Sequence, residues 1–190
     1  MLQIELTPFP ILYSERLLFR KICAADTAQV FKLRSDPVAM KYLDKAPLKD
    51  QEEALALINR ILDDLTTNNG ITWALALKED PECLIGTIGF WKIMKEHHRA
   101  EVGYMLLPEY FNKGYMTEAL NTVNAHAFNE MKLHSIEANI NPDNAASAAI
   151  LKKAGFVQEA YFKENFYFDG VFQDSAIYSL LANQPSIAPL

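Results

Sequence analysis

The sequence predicts an α/β (α+β) fold, a mixed, largely antiparallel sheet of six to seven strands with helices on both faces. Three observations carry that expectation. Three strand-like segments run consecutively between residues 71 and 107, as a meander does. Two helical stripes then interrupt the later strands, as crossovers do. At the boundary before residue 71 the apolar period switches from that of a helix to that of a strand.

The elements follow in order. SERLLFRKI, residues 14 to 22, mixes apolar and basic positions and reads as an opening strand. Asp26 and Gln29 have the spacing of a capping box, and Val30, Phe31 and Leu33 supply a helix face that ends before Pro37. Asp50 and Glu53 repeat the signal, and Leu55, Ile58, Ile61, Leu62 and Leu65 keep helical spacing until Asn68, Asn69 and Gly70. ITWALALK, LIGTIGFW and RAEVGYMLL are the three strands. The last puts Glu101, Gly103 and Met105 on one face and Val102, Tyr104 and Leu106 on the other.

After Pro108, Met116, Leu120, Val123, Ala127 and Met131 stripe a helix that starts near Gly114. SIEANIN is a strand, and Ala145 to Ala154 form a short helix stopped by Gly155. Asp169-Gly170 reads as a turn between the arms 156–168 and 171–181. The aromatic residues there, Tyr161, Phe162, Phe166, Tyr167, Phe168 and Phe172, are expected to form the hairpin's core. With no repeat or linker, residues 1–190 read as one domain with a core of about 14–181 and a frayed tail after 183.

Composition narrows the function classes. Half of the 190 residues are hydrophobic and 22% are charged, the balance of a globular protein. No apolar run approaches the roughly 18 to 20 residues a bilayer span needs, and MLQIELTPFP is not a secretory leader, so a cytoplasmic protein without a membrane partner is expected. Cys23 and Cys83 give neither a disulfide framework nor a zinc motif, and His97-His98-Arg99 lacks the ligands to complete a metal set. A net charge of -6 argues against nucleic acid and points to a cationic partner.

The segment PEYFNKGYMTEA, residues 108 to 119, lies between a strand and a helix. Backbone N–H groups and the positive end of the helix dipole converge there, which suits a diphosphate. Asn112 and Gly114 tolerate the backbone angles of such a nest, and Lys113 adds charge. An ordinary turn before a helix accounts for the same residues equally well.

This segment resembles the acetyl-CoA loop of the GNAT superfamily of N-acetyltransferases, with Gly114 at the central glycine. Phe111 stands where Arg or Gln is usual, Asn112 where glycine is common, and Met116 where a small residue is expected. NPDNAASAAILKKAGF, residues 141 to 156, resembles the family's closing motif, and AEVGY precedes the loop at family spacing. SERLLFRKI and MKYLDKAP look most like the branch of ribosomal-protein N-terminal acetyltransferases. The resemblance implies a GNAT-like sheet, acetyl-CoA as co-substrate, no metal, and an amine acceptor on a protein N-terminus or a small molecule. A monomer or homodimer fits it.

The resemblance also implies roles. Main-chain amides of Asn112, Lys113, Gly114, Tyr115, Met116 and Thr117 would hold the diphosphate, while Asn144 and Ser147, one helical turn apart, would steady the thioester end. Amides near Met105 and Leu106 would polarise the thioester carbonyl. A lysine amine titrates near ~10.4 and an α-amine at about 7.7 to 8, so a base is needed at neutral pH. Glu101 is the expected base, ahead of Glu137 and Glu118, and Asn139 cannot serve. Leu151 stands where many relatives carry a Tyr for this step, and the resemblance to the ribosomal-protein branch implies Ser147 as the general acid. Tyr42, Trp91 and Phe168 are candidates for the acceptor pocket, and a non-catalytic acetyl-CoA sensor is the alternative reading.

Overall fold

A computed structural model describes residues 2–182, and the expected frayed tail lies outside the described residues. The chain runs β1 (Leu12–Tyr13), β2 (Leu17–Lys21), α1 (Thr27–Ser35), α2 (Pro37–Met40), α3 (Gln51–Thr66), β3 (Ile71–Leu77), β4 (Gly86–Met94) and β5 (Arg99–Leu106). It continues with α4 (Tyr115–Asn129), β6 (Ser135–Ile140), α5 (Ala145–Lys153), β7 (Val157–Phe168) and β8 (Val171–Leu181). One eight-stranded sheet results, in the order β1-β2-β3-β4-β5-β6-β8-β7.

The sheet has one strand more than the upper expectation, because β1 is only two residues long, too short for alternation to register. Every pairing is antiparallel except β5 with β6, which α4 connects as a crossover. Strands β3, β4 and β5 approach closely. A Cβ on Gly89 would lie 2.1 Å from the Ile71 carbonyl oxygen, and one on Gly86 2.4 Å from that of Met105, so both positions require glycine.

Alternation along β5 divides the core. Ala100, Val102 and Leu106 join Met116, Leu120 and Val123 of α4 and Leu151 of α5 on one face. Met105 joins Val30 and Leu33 of α1, Met40 of α2 and Ile58 of α3 on the other, with Leu107 just beyond the strand. We call these the α4/α5 face and the α1/α3 face.

Local signals hold with two corrections. Asp50 caps α3 by accepting from the Glu53 amide at 2.9 Å. Asp26 instead pairs with Arg20 at 2.6 and 2.9 Å and accepts from the Cys23 amide, since a bidentate charged partner outbids the helix amides for its carboxylate. The hairpin turns at Asp169-Gly170 as expected, but its aromatics are not core: Tyr161, Phe162, Tyr167 and Phe172 are 53, 49, 60 and 62% exposed. Strand β7 is the sheet's last strand and almost all of its residues are exposed, so these rings have little to bury against.

Candidate active site

Strands β5 and β6 pair only from Arg99↔Ser135 to Glu101↔Glu137. Beyond that point β5 continues to Leu106 and β6 to Ile140 without pairing each other, so the sheet opens into a wedge with Glu101 at its apex. An opening inside a sheet leaves main-chain groups available to a ligand. The Leu107 amide donates to the Ile85 carbonyl at 2.9 Å, so alternation turns the Leu106 and Tyr104 amides toward the wedge. The same alternation directs the Met105 amide toward β4. Of the two amides expected to face a thioester, only that of Leu106 is on the open edge.

The wedge leads to the N-terminus of α4. Asn112 and Gly114 take φ of 58° and 80°, the left-handed geometry expected of the loop. Gly114 is the N-cap and offers no side-chain cap, and the first helical bond runs from the Glu118 amide to the Gly114 carbonyl at 3.1 Å. The amides of Tyr115, Met116 and Thr117 therefore have no helical acceptor. Met116 turns its side chain into the core, 6% exposed, so its bulk does not crowd the loop and its amide stays available. Phe111 and Lys113 lie on the surface, with Lys113 Nζ 5.3 Å from the centre of the Tyr110 ring.

On the α4/α5 face, Asn144 caps α5 by accepting from the Ser147 amide at 3.0 Å. The Ser147 hydroxyl, 6% exposed, meets the Tyr104 hydroxyl at 2.7 Å. Burial pushes the Tyr104 phenol up to about 12, with the Ser147 contact pulling slightly the other way, so it stays protonated at neutral pH.

On the α1/α3 face, Glu101 is 8% exposed. Burial first, and the charge of Glu137 second, push its carboxyl up to about 7 against Lys92, Lys45 and Arg99. Glu137 itself is ion-paired with Arg99. The β4 register slips between Phe90 and Lys92, and the extra residue, Trp91, packs over β5: a Cβ on Gly103 would lie 3.3 Å from Trp91 Cδ1. Tyr42 and Phe168 meet in a cleft of about 180 Å³ with Asp44 and Gln173, which Trp91 does not line.

The description "Acetyltransferase (GNAT) domain" matches residues 16–157 of this chain. The chain belongs to the GNAT acetyltransferase family. It is 32% identical to the N-acetyltransferase YoaA of Bacillus subtilis over 91% of this chain and 97% of that protein. A GNAT-family acetyltransferase structure from Bacillus anthracis shares the fold with a TM-score of 0.81 and 31% identity, covering 92% of this chain and 100% of that one. RimL, a ribosomal L7/L12 α-N-protein acetyltransferase solved with coenzyme A, shares the fold with a TM-score of 0.82 at 20% identity, over 90% and 98% of the two chains.

This GNAT protein is therefore an acetyl-CoA-dependent N-acetyltransferase. The open main-chain edge of β5 and the uncapped amides of α4 fit an extended, phosphate-bearing co-substrate. Among the described residues no helix is long and apolar enough to cross a membrane, and no group of acidic, His or Cys side chains is placed to hold a metal.

Two residues of the site escaped sequence reading. Tyr104 was assigned only to a strand face, yet its hydroxyl is the partner of Ser147. Arg16 donates to the Lys113 carbonyl at 2.9 Å and to Glu118 at 2.7 Å, and stacks 4.4 Å from the centre of the Tyr115 ring. It fastens the α4 loop from the opposite end of the chain.

Proposed function

We propose that this enzyme acetylates a primary amine, a protein N-terminal α-amine or a small amine, by direct attack, with Glu101 as base and Ser147 as acid. One observation carries the reading: a nearly buried carboxyl at the apex of the wedge, with its pKa raised to about 7. Such a group is half deprotonated at neutral pH and can accept a proton from an ammonium ion.

Acetyl-CoA supplies an activated acetyl group as its thioester. In the proposed roles the amides of Asn112 to Thr117 hold the diphosphate, Asn144 steadies the pantetheine arm, and the Leu106 amide polarises the carbonyl oxygen. Glu101 removes one proton from the ammonium, directly or through a water, and passes it to solvent. The neutral nitrogen forms the C–N bond, the C–S bond breaks, and Ser147 gives a proton to the departing thiolate. The nitrogen's second proton replaces the one Ser147 gave. Tyr104 stays protonated and keeps the Ser147 hydroxyl in place.

Glu101 faces the α1/α3 side of the sheet and Ser147 the α4/α5 side, so the acceptor enters from one face and the thiol lies on the other. Tyr42, Trp91 and Phe168 belong to the acceptor side. RimL's action on a ribosomal protein N-terminus supports an α-amine, and the cleft beside Tyr42 also suits a small amine.

A thiol-release assay with acetyl-CoA and a panel of N-terminal peptides, polyamines and aminoglycosides tests the proposal. Turnover is expected with at least one amine, and its kcat/KM should rise with pH through about 7 as Glu101 loses its proton. Tight acetyl-CoA binding with no turnover across the panel would leave only the sensor reading.

A further inference from the structure

The face that carries Glu101 also gathers cations that the fold does not neutralise. Arg34 lies in the last turn of α1, Lys45 in the loop between α2 and α3, and Arg60 on α3. These helices cover that face through Leu33 and Ile58, which share an apolar cluster with Met105 and Leu107. Lys45 Nζ lies 5.8 Å from the centre of the Trp91 ring, and that ring packs over Gly103, two residues from Glu101. The cluster therefore borders the proposed entry of the amine.

Each of the other three arginines, Arg16, Arg20 and Arg99, finds a carboxylate partner. Among the described residues Arg34, Lys45 and Arg60 enter no ion pair. Arg34 is held below the ordinary arginine range by burial and then by Arg60; Lys45 is held low by burial and then by Arg34 and Arg60, against the opposing pull of Glu101. Arg34 is half-buried, and like charges gathered beside a half-buried guanidinium are unfavourable unless an anion joins them. Of the carboxylates at hand, Glu137 is committed to Arg99 and Glu101 to the proton it must take, while Asp44, next to Lys45, makes no ion pair with the three cations.

We infer that Arg34, Lys45 and Arg60 bind an anionic group of the acceptor, a carboxylate or phosphate on the same molecule as the reacting amine. Guanidinium forks suit either group, since both oxygens can accept in parallel. The inference rests on the reading of Glu101 as base, which fixes where the amine sits. It reverses the expectation drawn from the net charge of -6, because the balance of the whole chain does not describe one patch.

The test uses the full chain at saturating acetyl-CoA with acceptors matched in size and opposite in charge. Peptides carrying Asp or Lys after an N-terminal Ser form one arm; γ-aminobutyrate and phosphoethanolamine against putrescine form the other. The acidic member of at least one arm should lead in kcat/KM by about tenfold, roughly 1.4 kcal/mol, and the winning arm tells a peptide side chain from a small-molecule anion. Arg60→Glu, on an exposed position, should reverse the preference, and Lys45→Glu in the exposed loop repeats the test should the first variant fold poorly.

A wild-type preference for basic acceptors, or an acid-to-base ratio unmoved by both reversals, would overturn the inference. So would reversals that shift only the pH midpoint, since that is charge tuning of Glu101 alone. Titration calorimetry of the same acceptors onto the coenzyme-A-saturated protein separates the two readings. Acid-selective binding without transfer keeps the anion site and removes Glu101's role; transfer without acid selectivity keeps the enzyme and removes the anion site.

Discussion

The two faces of β5 are built on opposite plans. Toward α4 and α5, Ala100, Val102 and Leu106 pack into an apolar core and Tyr104 and Ser147 satisfy each other, although the buried side-chain amide of Asn124 on α4 has no hydrogen-bond partner among the described residues. Toward α1 and α3, a nearly buried Glu101 has no ion-pair partner among the described residues, and three unpaired cations stand nearby. A thioester is the same whatever amine receives it, so the first face can be built from packed apolar side chains. The second is left electrostatically unfinished, and an acceptor with an anionic group, as proposed, would finish it.

Removing the proposed base should give the largest effect. Glu101→Gln is expected to lower kcat by on the order of 10² to 10⁴ while the affinity for acetyl-CoA, measured by calorimetry, stays unchanged. Stability should move the other way. The folded pKa of about 7 lies above the ordinary value of 4.5, so the folded state binds the proton more tightly and stability falls as pH rises from 4.5 to 7. Melting curves should therefore show Glu101→Gln gaining on the parent protein at pH 8 relative to pH 5. A loss of acetyl-CoA affinity would break the division between the faces.

Gly114→Ala tests the cofactor side. At φ of 80° a Cβ costs roughly 1 to 2 kcal/mol, so the KM for acetyl-CoA should rise about tenfold with acceptor preference unchanged. Tyr104→Phe leaves the Ser147 hydroxyl without its partner, a loss of about 1 kcal/mol, and should lower kcat several-fold for acidic and basic acceptors alike. The smallest effect belongs to Arg16→Gln. A partly exposed pair contributes about 0 to 1 kcal/mol, so a modest rise in the acetyl-CoA KM is expected, shrinking as salt is raised.

How much was legible follows the same division. The α4 loop and the α5 cap are local in sequence, so Gly114 could be singled out by its place before the helix, Asn144 and Ser147 by the resemblance of their motif, and the strand faces of β5 by alternation. Arg16 and Glu118 stand 102 residues apart, and no local pattern joins them. The wedge is equally hidden, because the parting of β5 and β6 depends on pairing rather than on either strand's composition. The hairpin aromatics misled for a related reason: alternation says that rings share a face, but not whether anything covers it.

The acceptor side was the least readable. Arg34, Lys45 and Arg60 come from two helices and a loop, and only the packing of α1 against α3 and the Lys45–Trp91 contact bring them near one site. Net charge pointed away from them. The bulge that lays Trp91 over Gly103, two residues from Glu101, leaves no signature in LIGTIGFW.

A structure of the protein with coenzyme A bound tests the central claim most directly. The diphosphate should rest on the amides of Asn112 to Thr117, with the pantetheine between β5 and β6 and the sulfur within hydrogen-bonding reach of Ser147. Coenzyme A found on another surface, or a sulfur distant from Ser147 and the wedge, would contradict the account.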